Sequence, residues 1–233
     1  MARNQGSRPR GYTMRARLDA VDETRLRITE AVMHLHEGVG PRATTVSAIA
    51  EQAGVTRLTV YRHFPDEESL VRACSAHWRA THPRPDPAQW SQIDDPVLRL
   101  RAALEQTFAW TRIAAPMIRN IQRDVDVMPA FVGQSLAADR KARVAALAAG
   151  FGARGRSSQR LRAAISHALS VTTWESLCID GGLDDGDAVE LMVATVLAAV
   201  SRSRACRPGR PRSGRRDRPA RPGDGSPAKD GSS

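Results

Sequence analysis

The residues whose types most clearly suggest a binding function lie at positions 56–64. This stretch has the length of a short helix, and the side chains expected on its accessible faces are Arg57, Leu58, Thr59, Tyr61, Arg62 and His63. Arginine can bind guanine through two parallel hydrogen bonds, and leucine can contact the methyl group of thymine. Threonine and tyrosine hydroxyls can bind phosphate. The composition of this helix therefore suits the major groove of DNA.

The neighbouring residues supply the elements that would position such a helix. A first short helix is predicted over residues 46–53, and Gly54 after it supplies the positive φ of a tight turn. A second short helix follows Thr56 and ends before Pro65. Two short helices joined by a glycine-containing turn form a helix-turn-helix. The apolar residues expected to pack them together are Ile49, Ala50, Val55, Val60 and Phe64.

Residues 44–70, TTVSAIAEQAGVTRLTVYRHFPDEESL, resemble the DNA-binding domain of the TetR family of bacterial transcriptional regulators. The family pattern is met without a gap by Thr45, Val46, Ile49, Ala50, Ala53, Gly54, Val55, Thr56, Thr59, Val60, Tyr61, His63, Phe64 and Leu70. The resemblance covers about residues 22–80, and the rest of the chain agrees with the family only in being helical and of suitable length.

The resemblance implies an all-α protein, in which a three-helix DNA-binding domain precedes a helical domain for effector binding and dimerisation. It also implies a homodimer that binds double-stranded DNA and represses transcription until a small-molecule effector releases it. Carried over by position, the DNA-binding residues are Thr45, Ser47, Thr56, Arg57, Leu58, Thr59, Tyr61, Arg62 and His63. In this transfer Arg57, Leu58 and Arg62 face bases, while the hydroxyl-bearing residues and His63 hold the phosphate backbone.

Two positions depart from the family pattern. Glu67 stands where many members carry a phosphate-binding lysine, and Leu58 stands where many carry glycine. The net charge of +10 is concentrated at the two ends of the chain. We therefore expect the arginines near the N-terminus to reach the minor groove or its flanking phosphates, namely Arg8, Arg10, Arg15 and Arg17.

Periodicity and breaker residues predict four parts. They are a disordered basic arm (1–18), the helix-turn-helix domain (19–66), a helical effector-binding and dimerisation domain (67–202), and a disordered tail rich in Arg, Pro and Gly (203–233). In the third part, the sequence predicts a proline-rich linker over residues 82–96, a helix starting at Pro116, and two long final helices over 157–179 and 187–202.

The second domain offers candidates for an effector cavity and for a dimer interface. The apolar side chains expected to line the cavity are Phe108, Trp110, Met117, Phe131 and Trp174, with ordinary core packing as the alternative for each. An apolar lining with few polar groups would favour a hydrophobic or aromatic effector. The last two helices are apolar nearly all round, which favours a homodimer interface.

Other function classes find less support. No Gly-x-Ser-x-Gly elbow and no phosphate-binding P-loop occurs, so we expect no enzyme, no cofactor and no catalytic residues. Cys74, His77 and His82 allow a metal site to be imagined, but we expect none. Two alternatives stay open, a redox-sensing regulator that uses Cys74 or Cys178, and a helical interaction protein without operator binding. No membrane span or secretory signal is predicted, which favours a cytoplasmic protein.

Overall fold

The computed structural model of the protein describes residues 10–205, and all regular elements in this range are helical. This confirms the predicted all-α class. The first helices are α1 (Arg10–Gly38), α2 (Val46–Ala53), α3 (Arg57–His63) and α4 (Glu67–Thr81). They are followed by α5 (Pro87–Trp90), α6 (Pro96–Arg123), α7 (Ala130–Ala148), α8 (Arg156–Ala168), α9 (Val171–Trp174) and α10 (Asp185–Ala205). Single turns of 3₁₀ helix at Pro41–Ala43 and Val125–Val127 and a π-helical turn at Glu175–Asp180 complete the elements.

Helices α1 to α3 pack around a small core that α4 completes. Its fully buried members come from all four helices and the residue that ends α3, and include Ile28, Val32, Ile49, Val60, Phe64 and Leu70. Burying several large apolar side chains stabilises a domain of this size by about 1.5–3 kcal/mol for each one. The predicted core residues Ile49, Ala50, Val60 and Phe64 are all buried, and Val55 packs against them partly buried.

Helix α4 belongs to both cores. Leu70 and Cys74 join the first core, whereas Trp78, one turn further on, joins the core of the second domain. Val71 forms a small separate cluster with Met128 and Val132 of the second domain. One continuous helix therefore contributes side chains to the cores of both domains.

The second domain has its core between α6, α8 and α10. Its largest fully buried side chains include Trp90, Leu100, Leu104, Phe108, Leu161 and Ile165. Helix α7 closes another side of this core through Val144 and Leu147. Among residues 10–205, no helix is both long and apolar enough to cross a bilayer.

The ends of the folded region differ from the prediction. Helix α1 begins at Arg10, so residues 10–18 are helical and the predicted disorder there is wrong. Arg10, Arg15 and Arg17 are thus carried on a helix, because helix propagation costs little once α1 has been nucleated and packed. Arg8 lies outside the described residues. Helix α10 continues to Ala205, and the predicted tail beyond it also lies outside them.

Three predicted boundaries inside the second domain are also wrong. Pro116 lies within α6 and does not start a new helix, because burial of Ala114, Ala115, Met117 and Ile118 around it outweighs one lost hydrogen bond. The linker over residues 82–96 contains the short helix α5. The helix predicted over residues 157–179 is interrupted at Ser170, whose backbone is extended. There Thr173 Oγ1 donates to the His167 carbonyl, so a side chain replaces part of the helical pairing.

Candidate functional site

Helix α3 presents most of its surface to solvent. Leu58 is 78% exposed and Tyr61 is 47% exposed. Arg57 and Arg62 are exposed as well, while Thr59 and His63 are half-buried. Val60 is the one buried residue of this helix. A single apolar side chain therefore attaches α3 to the core, and the predicted groove-reading residues remain available to a partner.

Both helices of the helix-turn-helix begin at a capping threonine. Thr45 Oγ1 accepts a hydrogen bond from the Ala48 amide at 3.2 Å, and Thr56 Oγ1 accepts one from the Thr59 amide at 3.1 Å. Such caps stabilise a helix by about 1 kcal/mol because they satisfy amide groups that have no partner within the helix. Thr45, Ser47 and Thr56 are themselves exposed. The Thr45 O–H group can still donate to a phosphate. The Thr56 and Thr59 hydroxyls lie 2.9 Å apart, so one of them donates to the other and the second can donate to a phosphate.

The turn between α2 and α3 depends on Gly54. This residue has a φ of 64° and ends α2 in the left-handed conformation. Its amide donates to the Glu51 carbonyl, and the Val55 amide donates to the Ala50 carbonyl at 2.9 Å. Glycine adopts this conformation without the steric cost that a Cβ would add. The angle between α2 and α3 is therefore fixed by a local backbone feature that the sequence predicts correctly.

Arg25 of α1 holds the far end of α3, and this residue was missed by the sequence analysis. Its Nη1 donates to the His63 carbonyl at 2.8 Å, and its guanidinium lies 4.2 Å from the centre of the Phe64 ring. A carbonyl at a helix C-terminus favours a cation beside it. No sequence signal would have found this contact, because Arg25 and His63 are brought together only by the packing of α1 on α3.

The positive charge of the helix-turn-helix is confined to the exposed face of α3. Helix α3 carries Arg57 and Arg62 and no acid, although residues 19–80 together hold seven arginines against nine acids. Partial burial, followed by the charges of Arg62 and Arg25, lowers the pKa of His63, so its imidazole is neutral at pH 7. Glu67 is exposed in the first turn of α4. There its carboxylate interacts favourably with the helix dipole but cannot bind phosphate.

The C-terminal end of α6 is bonded to the end of α1. Asn120 is buried, and its Nδ2 donates to the His36 carbonyl at 3.0 Å and the Glu37 carbonyl at 2.7 Å. Arg123 Nη2 donates to the Val39 carbonyl at 3.0 Å. Amide and guanidinium donors thus satisfy carbonyls at the end of α1, which otherwise lack helical partners. We call this set of contacts the α1–α6 joint.

Asp124 strengthens the α1–α6 joint. It is buried, with its carboxylate bonded to the guanidinium of Arg123 and to the backbone amide of Arg42 at 3.1 Å. The hydrogen bonds from Arg123, together with the backbone bond from Arg42, lower the pKa of Asp124 to about 2. Arg42 also pairs with Asp126 at 2.6 Å. This arginine is therefore engaged with the second domain and is not free to bind DNA.

The predicted effector-pocket residues do not share one cavity. Met117 and Phe131 line a small cavity of about 110 Å³ between α4, α6 and α7. Trp110 lines a larger cavity of about 470 Å³ between α6, α7 and α8. Phe108 and Trp174 are buried in the core and line neither of these cavities. The indole N–H of Trp174 donates to Asp185 at 3.1 Å, which ties the segment after α8 to α10.

The cysteines are poorly placed for redox chemistry. Burial raises the pKa of Cys74 to about 12, so the reactive thiolate is scarce at neutral pH. Burial and the neighbouring Asp185 raise the pKa of Cys178 as well. The redox-sensing alternative therefore gains no support from either described thiol, and Cys206 lies outside the described residues.

Two other site types are not built by residues 10–205. No cluster of three or more histidine, cysteine or acidic side chains is suitable for a metal ion in that range. Gly150, Gly152 and Gly155 have the GxGxxG spacing of dinucleotide-binding loops, a match that sequence reasoning overlooked. They follow helix α7 and no strand precedes them, so the strand-turn-helix context of that motif is absent.

Fold and surface together define a helix-turn-helix domain followed by a helical domain with internal cavities. Residues 28–74 match the family model described as bacterial regulatory proteins, tetR family. The helix-turn-helix region of this chain therefore matches the TetR family, as the sequence predicts.

The relatives found by sequence agree with this assignment. The chain is 36% identical over 91 residues to the HTH-type transcriptional regulator TtgR of Pseudomonas putida, which is 39% of this chain and 43% of TtgR. It is 29% identical over 101 residues to the HTH-type transcriptional regulator BetI of Burkholderia mallei, covering 41% of this chain and 50% of BetI. The chain thus matches half or less of the length of these curated relatives.

A solved structure shares the overall fold. A proposed fatty acid metabolism regulator of Clostridium perfringens aligns with a TM-score of 0.56 and 15% identity, covering 74% of this chain and 97% of that chain. This alignment extends the structural likeness beyond the helix-turn-helix into the second domain.

Proposed function

We propose that this protein is a sequence-specific DNA-binding regulator of transcription that responds to a small-molecule effector. The observation that carries the proposal is the exposed face of α3, which is held on a well-packed three-helix core by Val60, the Thr56 cap and Arg25. An exposed leucine and two exposed arginines on so short a helix have no role in stabilising the domain. Their arrangement suits contacts with base edges in the major groove.

The roles of the individual residues follow from their positions. Arg57, Leu58 and Arg62 project from α3 and are proposed to contact bases. Phosphate contacts are assigned to the hydroxyl and imidazole groups beside them and at the helix N-termini, where amide groups also favour anions. This second set comprises Thr45, Ser47, Thr56, Thr59, Tyr61 and His63.

We further propose that the active species is a homodimer formed by α8 and α10. Leu191 is 45% exposed, and Ala194, Thr195 and Ala198 on the same face of α10 are exposed too. This stripe carries no charge, and its small residues would allow close approach of a second copy. A two-fold dimer would place the two α3 helices in successive major grooves of a palindromic site.

Effector control is proposed to run through α6. This helix lines the larger cavity with Thr107, Trp110 and Thr111, and its C-terminal end forms the α1–α6 joint through Asn120 and Arg123. A ligand that favours one position of α6 would therefore favour one position of the DNA-binding domain. The effector releases the protein from DNA if it binds more tightly to the domain arrangement that does not bind DNA. The protein would then be a repressor.

In-vitro selection from random duplex DNA at near-physiological salt tests the proposal. We expect the full-length protein to enrich a palindromic sequence. Arg57→Ala and Arg62→Ala should each weaken binding to that sequence by about 10- to 100-fold. Arg154→Ala, an exposed arginine of the loop between α7 and α8, is the matched control and should have little effect. If no sequence is enriched while the protein remains dimeric, the alternative of a helical interaction protein is favoured.

The dimer is tested separately by sedimentation. We expect the double variant Leu191→Glu and Ala198→Glu to dissociate into monomers, because two acids on the apolar stripe would have to be buried. Val21→Glu changes a similarly exposed apolar residue of α1, 49% exposed, and should leave the dimer intact. A double variant that sediments like the unchanged protein would place the interface elsewhere.

A further inference from the structure

The larger cavity contains more positive than negative charge. Arg84, Arg140 and Arg143 line it, and Asp139 is the single acid among its lining residues. A cavity of about 470 Å³ falls within the size range of small-molecule sites. Its polar lining differs from the mainly apolar pocket that the sequence predicts. The chemistry of these arginines therefore indicates the class of ligand.

Arg143 is the central group because it is buried and, among residues 10–205, forms no ion pair of its own, since the nearby Asp139 pairs with Arg84. Its residue is only 7% exposed. Nη2 donates to Thr107 Oγ1 at 2.8 Å, and the guanidinium lies 5.2 Å from the centre of the Trp90 ring. Nε is buried and has no hydrogen-bond partner. Within the part of the chain that the structure describes, the acid whose charge acts on Arg143 is Asp139, and that carboxylate is bonded to Arg84.

A buried guanidinium in this condition is unfavourable. Burial lowers the pKa of Arg143 and outweighs the opposing effect of the Asp139 charge. Arginine nevertheless stays protonated in proteins, so the cost is relieved only by an anion or by hydrogen-bond acceptors. The free Nε edge is the geometry that binds one side of a carboxylate.

Arg84 adds a second cation at the same cavity. Its Nη1 pairs with Asp139 at 3.0 Å, and its buried Nε has no partner. Its guanidinium also lies 4.9 Å from the centre of the Trp110 ring. Asp139 neutralises one arginine at most, so the cavity keeps a net positive charge toward an incoming ligand.

The smaller cavity adjoins the larger one and is mainly apolar. Both are lined by Arg84, Ile118 and Leu136, so the two spaces are neighbours on either side of these residues. Beyond them the smaller cavity is bounded mainly by apolar side chains such as Met117 and Phe131, with His36 and Arg79 among its polar lining residues. A ligand with its charge at Arg143 could therefore extend an apolar body between α6 and α7.

We infer that the effector is an organic acid with an apolar body, whose carboxylate pairs with Arg143 and whose body extends toward Met117 and Phe131. The inference rests on the proposed function, because it names the chemical class of the effector. It also explains why an arginine occupies a buried position where no described residue of this chain neutralises it.

Isothermal titration calorimetry with matched acid and alcohol pairs tests the inference. The probes are octanoic acid, decanoic acid and 4-phenylbutanoic acid, each with its corresponding primary alcohol. We expect at least one acid to bind about 10-fold or more tightly than its alcohol, since a hydrogen bond between two charged groups is stronger than one to a neutral hydroxyl. If every acid binds no more tightly than its alcohol, the inference is wrong.

Substitution of Arg143 adds a second test. Arg143→Met should weaken acid binding about 10- to 100-fold and leave alcohol binding unchanged. The control Arg162→Met changes an exposed arginine of α8 and should not alter either affinity. Acid binding that survives Arg143→Met would overturn the assignment. Should this variant fail to fold, the acid–alcohol comparison on the unchanged protein still decides the inference.

Measuring the affinity for the selected DNA with and without each acid distinguishes this inference from the proposed function. If an acid binds through Arg143 and weakens binding to the selected DNA, both hold. If it binds through Arg143 without altering DNA affinity, the acid site stands and effector control fails. If DNA is bound specifically but no acid exceeds its alcohol, the DNA-binding proposal stands and the inference fails.

Discussion

The α1–α6 joint makes a quantitative prediction about Asn120. Its side-chain amide donates to the carbonyls of His36 and Glu37 at 3.0 and 2.7 Å, and the residue is 8% exposed. Asn120→Ala removes both donors and leaves two carbonyl oxygens without them. Each buried acceptor that loses its partner costs about 1–3 kcal/mol. Some relaxation around a helix end is expected, so we predict a loss of about 2–4 kcal/mol in the free energy of unfolding.

Urea denaturation at fixed protein concentration measures this loss. With a slope of about 2 kcal/mol per molar urea, the midpoint should fall by about 1–2 M. Gln122→Ala is the matched control, because Gln122 bears the same amide on the same helix and is exposed. Its midpoint should change little. If Asn120→Ala and Gln122→Ala lie within about 0.5 kcal/mol of each other, the reasoning about the joint is refuted.

The helix-turn-helix and the buried histidine of α1 yield further outcomes. Thr56→Ala should cost about 1 kcal/mol in urea unfolding through loss of the α3 cap, and a fully stable variant would contradict this role. Gly54→Ala, at a φ of 64°, should lower the free energy of unfolding by about 1–2 kcal/mol. Gly38→Ala should lower it little, and equal losses in the two variants would exclude backbone strain at Gly54 as the cause. Leu58→Ala should leave stability unchanged and alter the DNA sequence enriched by selection. Burial lowers the pKa of His36 from 6.5 to about 4, so stability present above pH 6.5 is lost as the pH falls toward 4, by about 2 kcal/mol between pH 7 and 5. His36→Leu should remove this slope, and a slope that persists in the variant would assign it to other groups.

The sequence was informative where the structure depends on local chemistry. Thr45 and Thr56 cap their helices and Gly54 takes the left-handed turn, as their residue types predict. These features need only neighbouring residues, so a pattern of caps, breakers and apolar spacing is sufficient to find them. The family resemblance rests on the same residues and is confirmed for the N-terminal domain.

Prediction failed where distant burial competes with local preference. Pro116 would end most helices, yet α6 continues through it because apolar residues on both sides are packed in the core. At Ser170 the reverse occurs, and an apolar stretch that looked continuous is interrupted. Helix α1 likewise begins earlier than its apolar periodicity indicates.

The sequence by itself determined the helical class, the helix-turn-helix and the side chains that α3 exposes, because each follows from interactions between residues close in the chain. Tertiary structure alone decided the remaining features of the site. It brings Arg25 to the end of α3 and Asn120 to the end of α1, and it buries Arg143 beside the cavity while Asp139 pairs with Arg84. These contacts join residues far apart in sequence, and their energies depend on burial, which no local pattern specifies.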